Sequence, residues 1–429
     1  MSILLKNVNV LTQNKRRELL RDVDIFIDGN RVENVGKNLR EKAEFKIDGR
    51  GKLAIPGLIN THSHIAMTLF RGYADDMRFW EAWPERIWPK EKKLKTGQVY
   101  SGAMLGCMEM IRSGTTCFMD SYFFMDEVAK AVKEIGIRAN LAYGMIDLDE
   151  AGKRKKELER GEELVKNFDG KADGRIKCSF SPHAPYSCSK ELLLKSKELA
   201  EKYDVLLQIH VSETRKEVFD SLKKFGKRPV EYLDSIGFLG RRVIAAHCVW
   251  ITNREVRMLG EKGARVSHNP VSNMKLASGG VMPVPQMLES NICVTFGTDG
   301  AVSNNSLNML ETMKVGALLQ KAHQWDARVL NAQQALDFGT CNGAAALCIN
   351  GGSIEQGKLA DISLVELNSA NLLPAGNITS NLVYSSNPSN ISDVIIDGKF
   401  VMQDRKILTV NEEKVISKFQ EVSEKLMRD

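Results

Sequence analysis

Strand-like runs alternate with helical stretches through the middle of this chain, and no other feature restricts its fold as strongly. Eight such runs lie at 57–60, 115–119, 138–143, 176–181, 205–210, 243–247, 264–267 and 293–297. Helical stretches separate most of them, for example at 191–203 and 218–236. Strands that alternate with helices form parallel sheets, and eight repeats favour a closed barrel over an open sheet. We therefore predict an α/β fold, a (β/α)8 TIM barrel.

The two ends of the chain follow a different pattern from its middle. Residues 1–55 alternate apolar and polar side chains between turns, which indicates short antiparallel strands. The same pattern returns at 360–365 and 394–401, before a helix near 411–428. We expect the two ends to pair into one small β-sandwich domain. The predicted domains are 1–55 for its first part, 56–350 for the metal-dependent barrel, and 351–429 for its second part with the terminal helix.

Composition narrows the partners and the compartment. The chain has 43% hydrophobic and 27% charged residues, and a net charge of +6 with lysine and glutamate intermixed. These values are typical of a soluble protein, so neither nucleic acid nor a membrane is predicted as a partner. The eight cysteines form no C-x-x-C motif, and the sequence has neither a secretion signal nor a run of about 18 apolar residues. We therefore expect a cytoplasmic protein with reduced, buried thiols.

Six of the seven histidines lie at the ends of predicted strands. They are His62, His64, His183, His210, His247 and His268, and Asp299 holds the matching place after the eighth strand. In a (β/α)8 barrel the carboxyl ends of the strands form the active site. His62 and His64 lie two residues apart, so a strand projects both imidazoles to the same side, where they can share one metal ion. The sequence therefore predicts a metal site at this end of the barrel.

Several short segments carry a resemblance to a known family. They are 56–64, S-P-H-A-P-Y at 181–186, H-V-S-E-T at 210–214, A-H-C at 246–248, S-H-N-P at 267–270, S-N-M-K-L at 272–276, and G-T-D-G at 297–300 with S-N-N at 303–305. Together they resemble the amidohydrolase superfamily, and within it the branch of 5′-methylthioadenosine/S-adenosylhomocysteine deaminases. The resemblance spans essentially the whole chain, including its β-rich ends.

The resemblance assigns four ligands to one divalent metal ion per subunit: His62, His64, His210 and Asp299. Three imidazoles and a carboxylate suit Zn²⁺, with Fe²⁺ or another divalent metal as alternatives. Members of the superfamily that bind two metals use a lysine at the end of strand 4. Here that end carries His183, while Lys177 lies at the far end of the strand. A single metal is therefore expected.

The resemblance also implies the reaction and its catalytic residues. The expected reaction is hydrolytic deamination of 5′-methylthioadenosine, S-adenosylhomocysteine, adenosine or 5′-deoxyadenosine by a metal-bound hydroxide, giving the hypoxanthine nucleoside and ammonia. Glu213 would protonate the ring nitrogen next to the attacked carbon. His247 would contact the metal-bound water, and Asp299 would pass a proton to the departing ammonia. For His268 we expect a structural or pocket-lining role.

Substrate contacts follow from the same resemblance. Trp83 matches a pocket tryptophan in a loop after strand 1, and Glu91 in that loop matches a carboxylate that holds the ribose hydroxyls. The other implied contacts are His183, Ser303 and Glu213. Members of the branch also carry two arginines that face the homocysteine carboxylate. Arg154 matches the second, but Tyr143 stands where the first is expected, which leaves the 5′ substituent open.

Two other functions compete with this interpretation. One is a deaminase or chlorohydrolase of another heterocycle, such as guanine or a triazine, although Glu91 favours a ribosyl substrate. The other is a barrel without catalysis that acts as a binding module, which predicts the loss of a metal ligand or of Glu213. All of these residues are present. Relatives of this kind are often dimers or tetramers, so a homodimer or homotetramer is expected.

Overall fold

The computed structural model describes residues 1–428, and within them the strands form two nine-stranded sheets. The first sheet combines both ends of the chain and is called the terminal sheet. Its strands are β1 Ser2–Leu11, β2 Leu19–Asp28, β3 Arg31–Gly36, β4 Phe45–Asp48, β5 Lys52–Pro56, β15 Ile362–Glu366, β16 Ile391–Ile396, β17 Lys399–Gln403 and β18 Lys406–Ile407. The two ends join where β5 pairs antiparallel with β15, with Pro56 opposite Ile362. The predicted pairing of the two ends is confirmed.

The terminal sheet is mixed rather than antiparallel throughout. β1 pairs antiparallel with β2, as predicted. Both β4 and β5, however, run parallel to β1. The prediction of antiparallel strands is therefore wrong for β4, while β5 is parallel to β1 and antiparallel to β15. Parallel partners are joined by longer connections than hairpin partners, and the alternating pattern of a single strand does not encode the direction of its neighbour.

The second sheet, here the catalytic sheet, is parallel along its whole order. Its strands are β6 Leu58–His64, β7 Thr115–Tyr122, β8 Arg138–Met145, β9 Ile176–Pro182, β10 Leu206–Val211, β11 Val243–His247, β12 Arg265–His268, β13 Val294–Phe296 and β14 Asp299–Gly300. All eight predicted strands are confirmed, and the eighth is divided into β13 and β14. β13 pairs with β12, and two residues later β14 pairs with β6. The short segment 294–300 therefore pairs with β12 through its first part and with β6 through its last part.

Helices follow most strands of the catalytic sheet. Within residues 1–428 the α-helices are α1 Phe79–Ala82, α2 Trp88–Glu91, α3 Thr96–Arg112, α4 Met125–Ile135, α5 Ala151–Phe168, α6 Lys190–Tyr203, α7 Arg215–Phe225, α8 Pro229–Ser235, α9 Asn253–Lys262, α10 Pro270–Lys275, α11 Val284–Glu289, α12 Ala301–Asn304, α13 Met309–Gln324, α14 Ala332–Gly339, α15 Cys341–Ala346, α16 Ile378–Tyr384 and α17 Glu412–Arg428. Short 3-10 helices lie at Ile65–Phe70, Ala370–Leu372 and Pro388–Asn390, and a π-helix lies at Trp83–Ile87.

The helical stretch predicted over 218–236 is divided between two helices. The chain forms α7 and α8 there because Gly226, at a φ of +65°, ends the first helix and Pro229 begins the second. Glycine adopts this left-handed conformation without strain, and proline suits the first position of a helix. The helix predicted over 191–203 and the terminal helix are confirmed as α6 and α17.

The burial of the strands explains why the catalytic sheet forms the core. Every residue of β7 and β8 is buried, as expected of parallel strands covered on both faces. Arg138, the first residue of β8, donates to Asp361 at 2.8 Å and to Asp397 at 3.0 Å, which directly flank β15 and β16 of the terminal sheet. The terminal sheet thus contacts β8 at its amino end and leaves the carboxyl ends of the strands to line a cavity.

Two predictions about the whole chain can be compared with the structure. All eight cysteines are free, and five are buried. None of the helices within residues 1–428 has the length and apolar content needed to span a bilayer.

Candidate active site

Four imidazoles and a carboxylate converge at the carboxyl ends of the catalytic strands. The ring centroid of His62 lies 5.0 Å from that of His64, 4.8 Å from that of His210 and 5.3 Å from that of His247. The potential ligand atoms form two groups that share His62. The first group adds His64 and His210, and the second adds His247 and Asp299. Within each group the ligand atoms lie within 4.8 Å of one another. The structure therefore brings together all four predicted metal ligands.

Backbone carbonyls fix the proton on two of these rings. The Nδ1 of His64 lies 2.6 Å from the carbonyl oxygen of Ser121, and the Nδ1 of His210 lies 2.7 Å from that of His183. Since a carbonyl only accepts, both Nδ1 atoms carry the hydrogen. Each Nε2 then presents a lone pair, and these two Nε2 atoms lie 3.3 Å apart. This is the arrangement that orients histidines toward a metal ion.

His62 gives the clearest sign that the cluster is built for a cation. Its Nδ1 lies 3.3 Å from Oε1 of Gln208, while its Nε2 is buried without a hydrogen-bond partner. Buried polar atoms are almost always paired, so an unpaired nitrogen that lies beside the other imidazoles and Asp299 fits a positive partner. Burial lowers the pKa of His62, and burial and the neighbouring imidazoles lower that of His210. Both rings are thus neutral, which is the form that binds metals. The donor set fits a divalent cation.

Asp299 supplies the carboxylate of the cluster. Its Oδ1 lies 3.3 Å from Nε2 of His64 and 3.5 Å from Nε2 of His62. Its Oδ2 accepts hydrogen bonds from the Oγ atoms of Ser272 at 2.6 Å and Ser303 at 2.9 Å. Burial raises the pKa of Asp299, but the contact with His62 and the nearby imidazoles outweigh it and hold the pKa well below its usual range. The carboxylate is therefore ionised and oriented on both oxygens.

Left-handed backbone conformations mark the turns that follow three of the strands. Ser212, His247 and Asp299 have φ angles of +52°, +73° and +63°. Residues other than glycine pay a steric cost in this region, and such strain is concentrated at functional sites. The three turns lie at the ends of β10, β11 and the divided eighth strand. His247, Asp299 and Glu213, the residue after Ser212, all line one cavity.

Glu213 and His247 face each other beside the cluster. Oε2 of Glu213 lies 3.9 Å from Nε2 of His247. Burial, together with the charges of Asp299 and Glu217, raises the pKa of Glu213 well above its usual range, so the carboxyl holds a proton at neutral pH. Burial lowers the pKa of His247 to about 3, so its ring is neutral. The amide of Asn273 holds the ring, with Nδ2 2.9 Å from Nδ1 of His247.

A cavity of about 1130 Å³ opens onto these groups. Its wall contains His64, His210, Glu213, His247 and Asp299, and also a segment over 79–91 that we call the lid. The lid is rich in aromatic residues, and its Trp83 stacks on Phe79 with ring centroids 4.6 Å apart. Both rings line the cavity. An apolar wall around a few polar groups is typical of a small-molecule site.

The predicted substrate contacts Glu91 and His183 also line this cavity. Glu91 accepts a hydrogen bond from the hydroxyl of Tyr122 on Oε1 at 2.6 Å, and burial raises its pKa. The Nδ1 of His183 lies 2.8 Å from Oγ of Ser187. Burial, and then the nearby imidazoles, lower the pKa of His183 to about 4, so this ring is neutral as well.

Ser303 and Arg154 were both expected to contact the substrate, but only Ser303 lies in the cavity wall. Ser303 lines the cavity, although its hydroxyl is bonded to Asp299. Within residues 1–428 the cavity wall includes Arg160 but not Arg154. The Nε of Arg154 instead donates to Asp147 at 2.9 Å and to Ser189 at 3.0 Å. The expectation of Arg154 as a substrate contact therefore needs correction, because its guanidinium is already held outside the cavity.

His268 lies behind the cavity wall rather than in it. It is 1% exposed, and its ring stacks on Phe296 with centroids 5.9 Å apart. Burial lowers its pKa to about 3, so it packs as a neutral ring. Of the two roles expected for His268, the structural one agrees with this position.

Several polar residues of the site were not anticipated. Gln208 lies two residues before His210 on the same strand, so the two-residue period of a strand could have indicated it. Asp120 accepts from Oγ of Ser63 at 2.9 Å, next to His64. Tyr122 reaches Glu91 from a separate strand, and nothing local in the sequence signals that contact. Glu217 and Asn273 are further examples.

Comparisons with known proteins agree with this geometry. The amidohydrolase family matches residues 53–401. The chain is 49% identical over 425 residues to a 5′-deoxyadenosine deaminase of Methanocaldococcus jannaschii, covering 98% of this chain and 99% of that protein. It is 45% identical to a 5-methylthioadenosine/S-adenosylhomocysteine deaminase of Thermococcus sibiricus, covering 94% of each. An adenosine deaminase from Xanthomonas campestris, solved with bound zinc, superposes with a TM-score of 0.95 at 31% identity, covering 100% of this chain and 99% of that one.

Proposed function

This chain belongs to the amidohydrolase family, and from that premise we propose that it deaminates an adenine nucleoside by hydrolysis. The reaction consumes water and releases ammonia and the hypoxanthine nucleoside. One observation carries the proposal: the buried carboxyl group of Glu213, whose pKa is raised well above its usual range, faces the same cavity as the cation-binding cluster. Hydrolysis of an aromatic amine needs both, because water must be activated while the ring accepts a proton.

The enzyme depends on a divalent metal, and we propose one Zn²⁺ per chain, held by His62, His64, His210 and Asp299. Neutral nitrogen donors and one carboxylate favour zinc, while Fe²⁺ is the main alternative. When bound, the ion supplies Lewis-acid chemistry that acidifies a coordinated water molecule. Lys177 supports the count of one, because it is exposed and lies 3.7 Å from Asp169, outside the cavity wall.

Three side chains then handle the protons. Glu213 donates the proton on its carboxyl to N1 of the adenine ring, which makes C6 electrophilic. The neutral imidazole of His247 orients the attacking water and assists its deprotonation, and the proton released in this step restores the carboxyl group of Glu213. Asp299 accepts the remaining hydroxyl proton on Oδ1 and delivers it to the exocyclic amino group, which leaves as ammonia. The opposite protonation states of Glu213 and Asp299 support this division, since one starts with a proton and the other without.

Side chains on the cavity wall are proposed to hold the nucleoside. Trp83 packs against the substrate from the lid, and His183 and Ser303 contact the purine side of the site. Glu91 binds the ribose hydroxyls; one of its oxygens is held by Tyr122, which leaves the other to accept from the sugar. The roles follow from position and chemistry, because all four residues line the cavity.

The size of the cavity bears on the 5′ substituent. Its volume of about 1130 Å³ exceeds the range of about 300–1,000 Å³ usual for small-ligand pockets, so it has room for a long 5′ group. We propose Arg160, rather than Arg154, as the cation that faces such a group. Its Nη1 lies 2.8 Å from the hydroxyl of Tyr143, and both residues line the wall. 5′-Deoxyadenosine, adenosine, 5′-methylthioadenosine and S-adenosylhomocysteine are the candidate substrates.

We further infer the finer architecture and setting of the enzyme. β13 and β14 pair with opposite edges of the catalytic sheet, which supports closure into a (β/α)8 barrel. The proposed division remains 56–350 for the barrel, with 1–55 and 351–429 forming the small β-sandwich domain.

Free cysteines support a reducing cytoplasm. A homodimer or homotetramer is proposed for the assembly.

Replacing Glu91 by Gln tests the ribose clamp. We expect KM for 5′-deoxyadenosine to rise by about tenfold with a smaller change in kcat, because one charged hydrogen bond to the sugar is weakened. Steady-state kinetics measure both constants. Glu85→Gln is the matched control, since Glu85 is an exposed lid residue outside the cavity wall. An unchanged KM for Glu91→Gln would remove this carboxylate from the substrate contacts.

A substrate panel tests the function itself. Metal-replete protein is incubated with the four adenine nucleosides, guanine and a chlorinated triazine, and kcat/KM is measured for each by ultraviolet absorbance. We expect the adenine nucleosides to react fastest. Turnover of guanine or the triazine alone would instead favour the second candidate, a deaminase or chlorohydrolase of another heterocycle.

A further inference from the structure

The strained turn between His210 and Glu213 is held by one buried carboxylate. Ser212, within this turn, has a φ of +52°. Its N–H donates to Oε1 of Glu217 at 2.7 Å, and the next N–H, that of Glu213, donates to Oε2 at 2.8 Å. The carbonyl of Ser212 accepts from the N–H of Trp250 at 2.8 Å. The peptide groups of this turn are thus fixed from both sides.

Glu217 does more here than cap a helix. It lies in the first turn of α7, whose N-cap residue is Thr214. In an ordinary capping box the glutamate accepts the N–H of the N-cap residue itself. Besides the N–H of Thr214, Glu217 accepts the two N–H groups that precede the cap, and one of these belongs to Glu213. Both oxygens of the Glu217 carboxyl group act as acceptors. Burial raises the pKa of Glu217 to about 7, although these N–H groups act to lower it.

The position of Glu217 argues for a role at the active site. It is 2% exposed, yet it forms part of the cavity wall together with Glu213. A left-handed turn of a residue other than glycine persists only where its surroundings fix it, and the two N–H bonds to Glu217 do so. Without them the turn is free to relax toward an ordinary conformation. That relaxation displaces the backbone that holds Glu213 in the cavity wall.

We propose that Glu217 is a positioning residue for the deamination, which fixes the backbone of Glu213 so that its carboxyl meets the purine ring. Glu217 does not touch the substrate, and it neither gives nor takes a proton. The inference rests on the proposed function, because it assigns to Glu213 the proton transfer described above. It predicts an effect on kcat that is larger than the effect on substrate affinity.

The test compares Glu217→Ala and Glu217→Gln with the native enzyme. For Glu217→Ala we expect kcat for 5′-deoxyadenosine to fall by about 100-fold while KM changes by less than about threefold, as for a misplaced catalytic group. Glu217→Gln should recover about a tenth of native kcat, because its amide oxygen still accepts one N–H. Elemental analysis should find the same metal content in all three proteins.

A matched control separates positioning from helix stability. Glu231 occupies the third position of α8 and accepts the N–H of Arg228 at 3.2 Å, outside the cavity wall. Glu231→Ala therefore removes a comparable cap and should retain native kcat. Hydrogen exchange gives a readout that does not depend on activity: the amides of Ser212 and Glu213 should exchange slowly in the native protein and faster in Glu217→Gln and Glu217→Ala.

Each outcome decides the question. Native kcat in Glu217→Ala would overturn the proposal, and so would an equal loss of kcat in Glu231→Ala. Should Glu217→Ala fail to fold, Glu217→Gln decides alone, and native kcat or unchanged amide exchange in that variant overturns the proposal. Failure of the proposed function is recognised separately, because the native enzyme would then turn over none of the adenine nucleosides while the amide exchange still reports on the turn.

Discussion

Glu213→Gln should lower kcat for adenine nucleosides by about 10²–10⁴-fold, the range that a general acid contributes. The amide has nearly the shape of the protonated carboxyl, but it holds no proton that it can deliver to N1 of the ring. Burial and the neighbouring negative charges raise the pKa of Glu213 well above its usual range, so the native side chain carries this proton at neutral pH. The substitution therefore removes only the proton that the side chain can transfer.

The measurement pairs turnover with metal content. Elemental analysis of Glu213→Gln should match the native protein, since Glu213 is not among the proposed ligands. Its melting temperature should not fall, because the buried carboxyl is already neutral and the amide replaces it without burying a charge. Glu231→Gln, on the outer side of α8, serves as the control and should keep native turnover. Undiminished deamination by Glu213→Gln would exclude this residue as the proton donor.

Removal of the metal should lower the turnover of adenine nucleosides at least as strongly. Dialysis against a chelator should abolish turnover, and added Zn²⁺ should restore it. The apoprotein should also melt at a lower temperature, because a ligand present at about 1,000 times its Kd stabilises the folded state by about 4 kcal/mol. The unpaired Nε2 of His62 explains this dependence, since the folded cluster is left without its positive partner.

Two histidine variants test which histidines bind the metal. His62→Ala should lose the metal and with it nearly all turnover. His323→Ala is the matched control, because His323 is exposed on α13 and stands apart from the cluster. We expect it to keep one metal ion per chain and native kcat. Two metal ions per native chain would contradict the single-ion site, and full metal content in His62→Ala would contradict the assigned ligands.

The catalytic strands and their terminal ligands could be predicted because both signals are local. An apolar run followed by a polar residue of a metal-binding type marks the carboxyl end of a buried strand, as with His210 and His247. The order of parallel strands then brings those ends together, whatever the loops between them do. This is why the ligands predicted from separate segments lie within a few ångströms of one another in the structure.

Other features depend on contacts that no local pattern encodes. Tyr122 orients Glu91 from a strand that lies 31 residues further along the chain. Arg154 and Arg160 share α5, but they are separated by about one and two-thirds helical turns and therefore face different sides. Only the packing of α5 decides which arginine reaches the cavity.

Two local signals in the sequence mark features that the predicted elements do not include. Gly226 and Pro229 together indicate a break between two helices, and the structure places the end of α7 and the start of α8 there. Glu217 stands three residues after Thr214, a spacing that marks the start of a helix. Its contact with the N–H of Glu213 depends on the left-handed turn at Ser212, which the residue type does not announce.

The most direct test of the account is to incubate the metal-replete native protein with 5′-deoxyadenosine and quantify ammonia while identifying the nucleoside product. Deamination at this site predicts one ammonia for each molecule of 5′-deoxyadenosine consumed, with the hypoxanthine nucleoside as the only nucleoside product. Glu213→Gln, assayed beside it, should release almost none. The absence of ammonia from 5′-deoxyadenosine and from the other three adenine nucleosides, with a full complement of metal, would contradict the account.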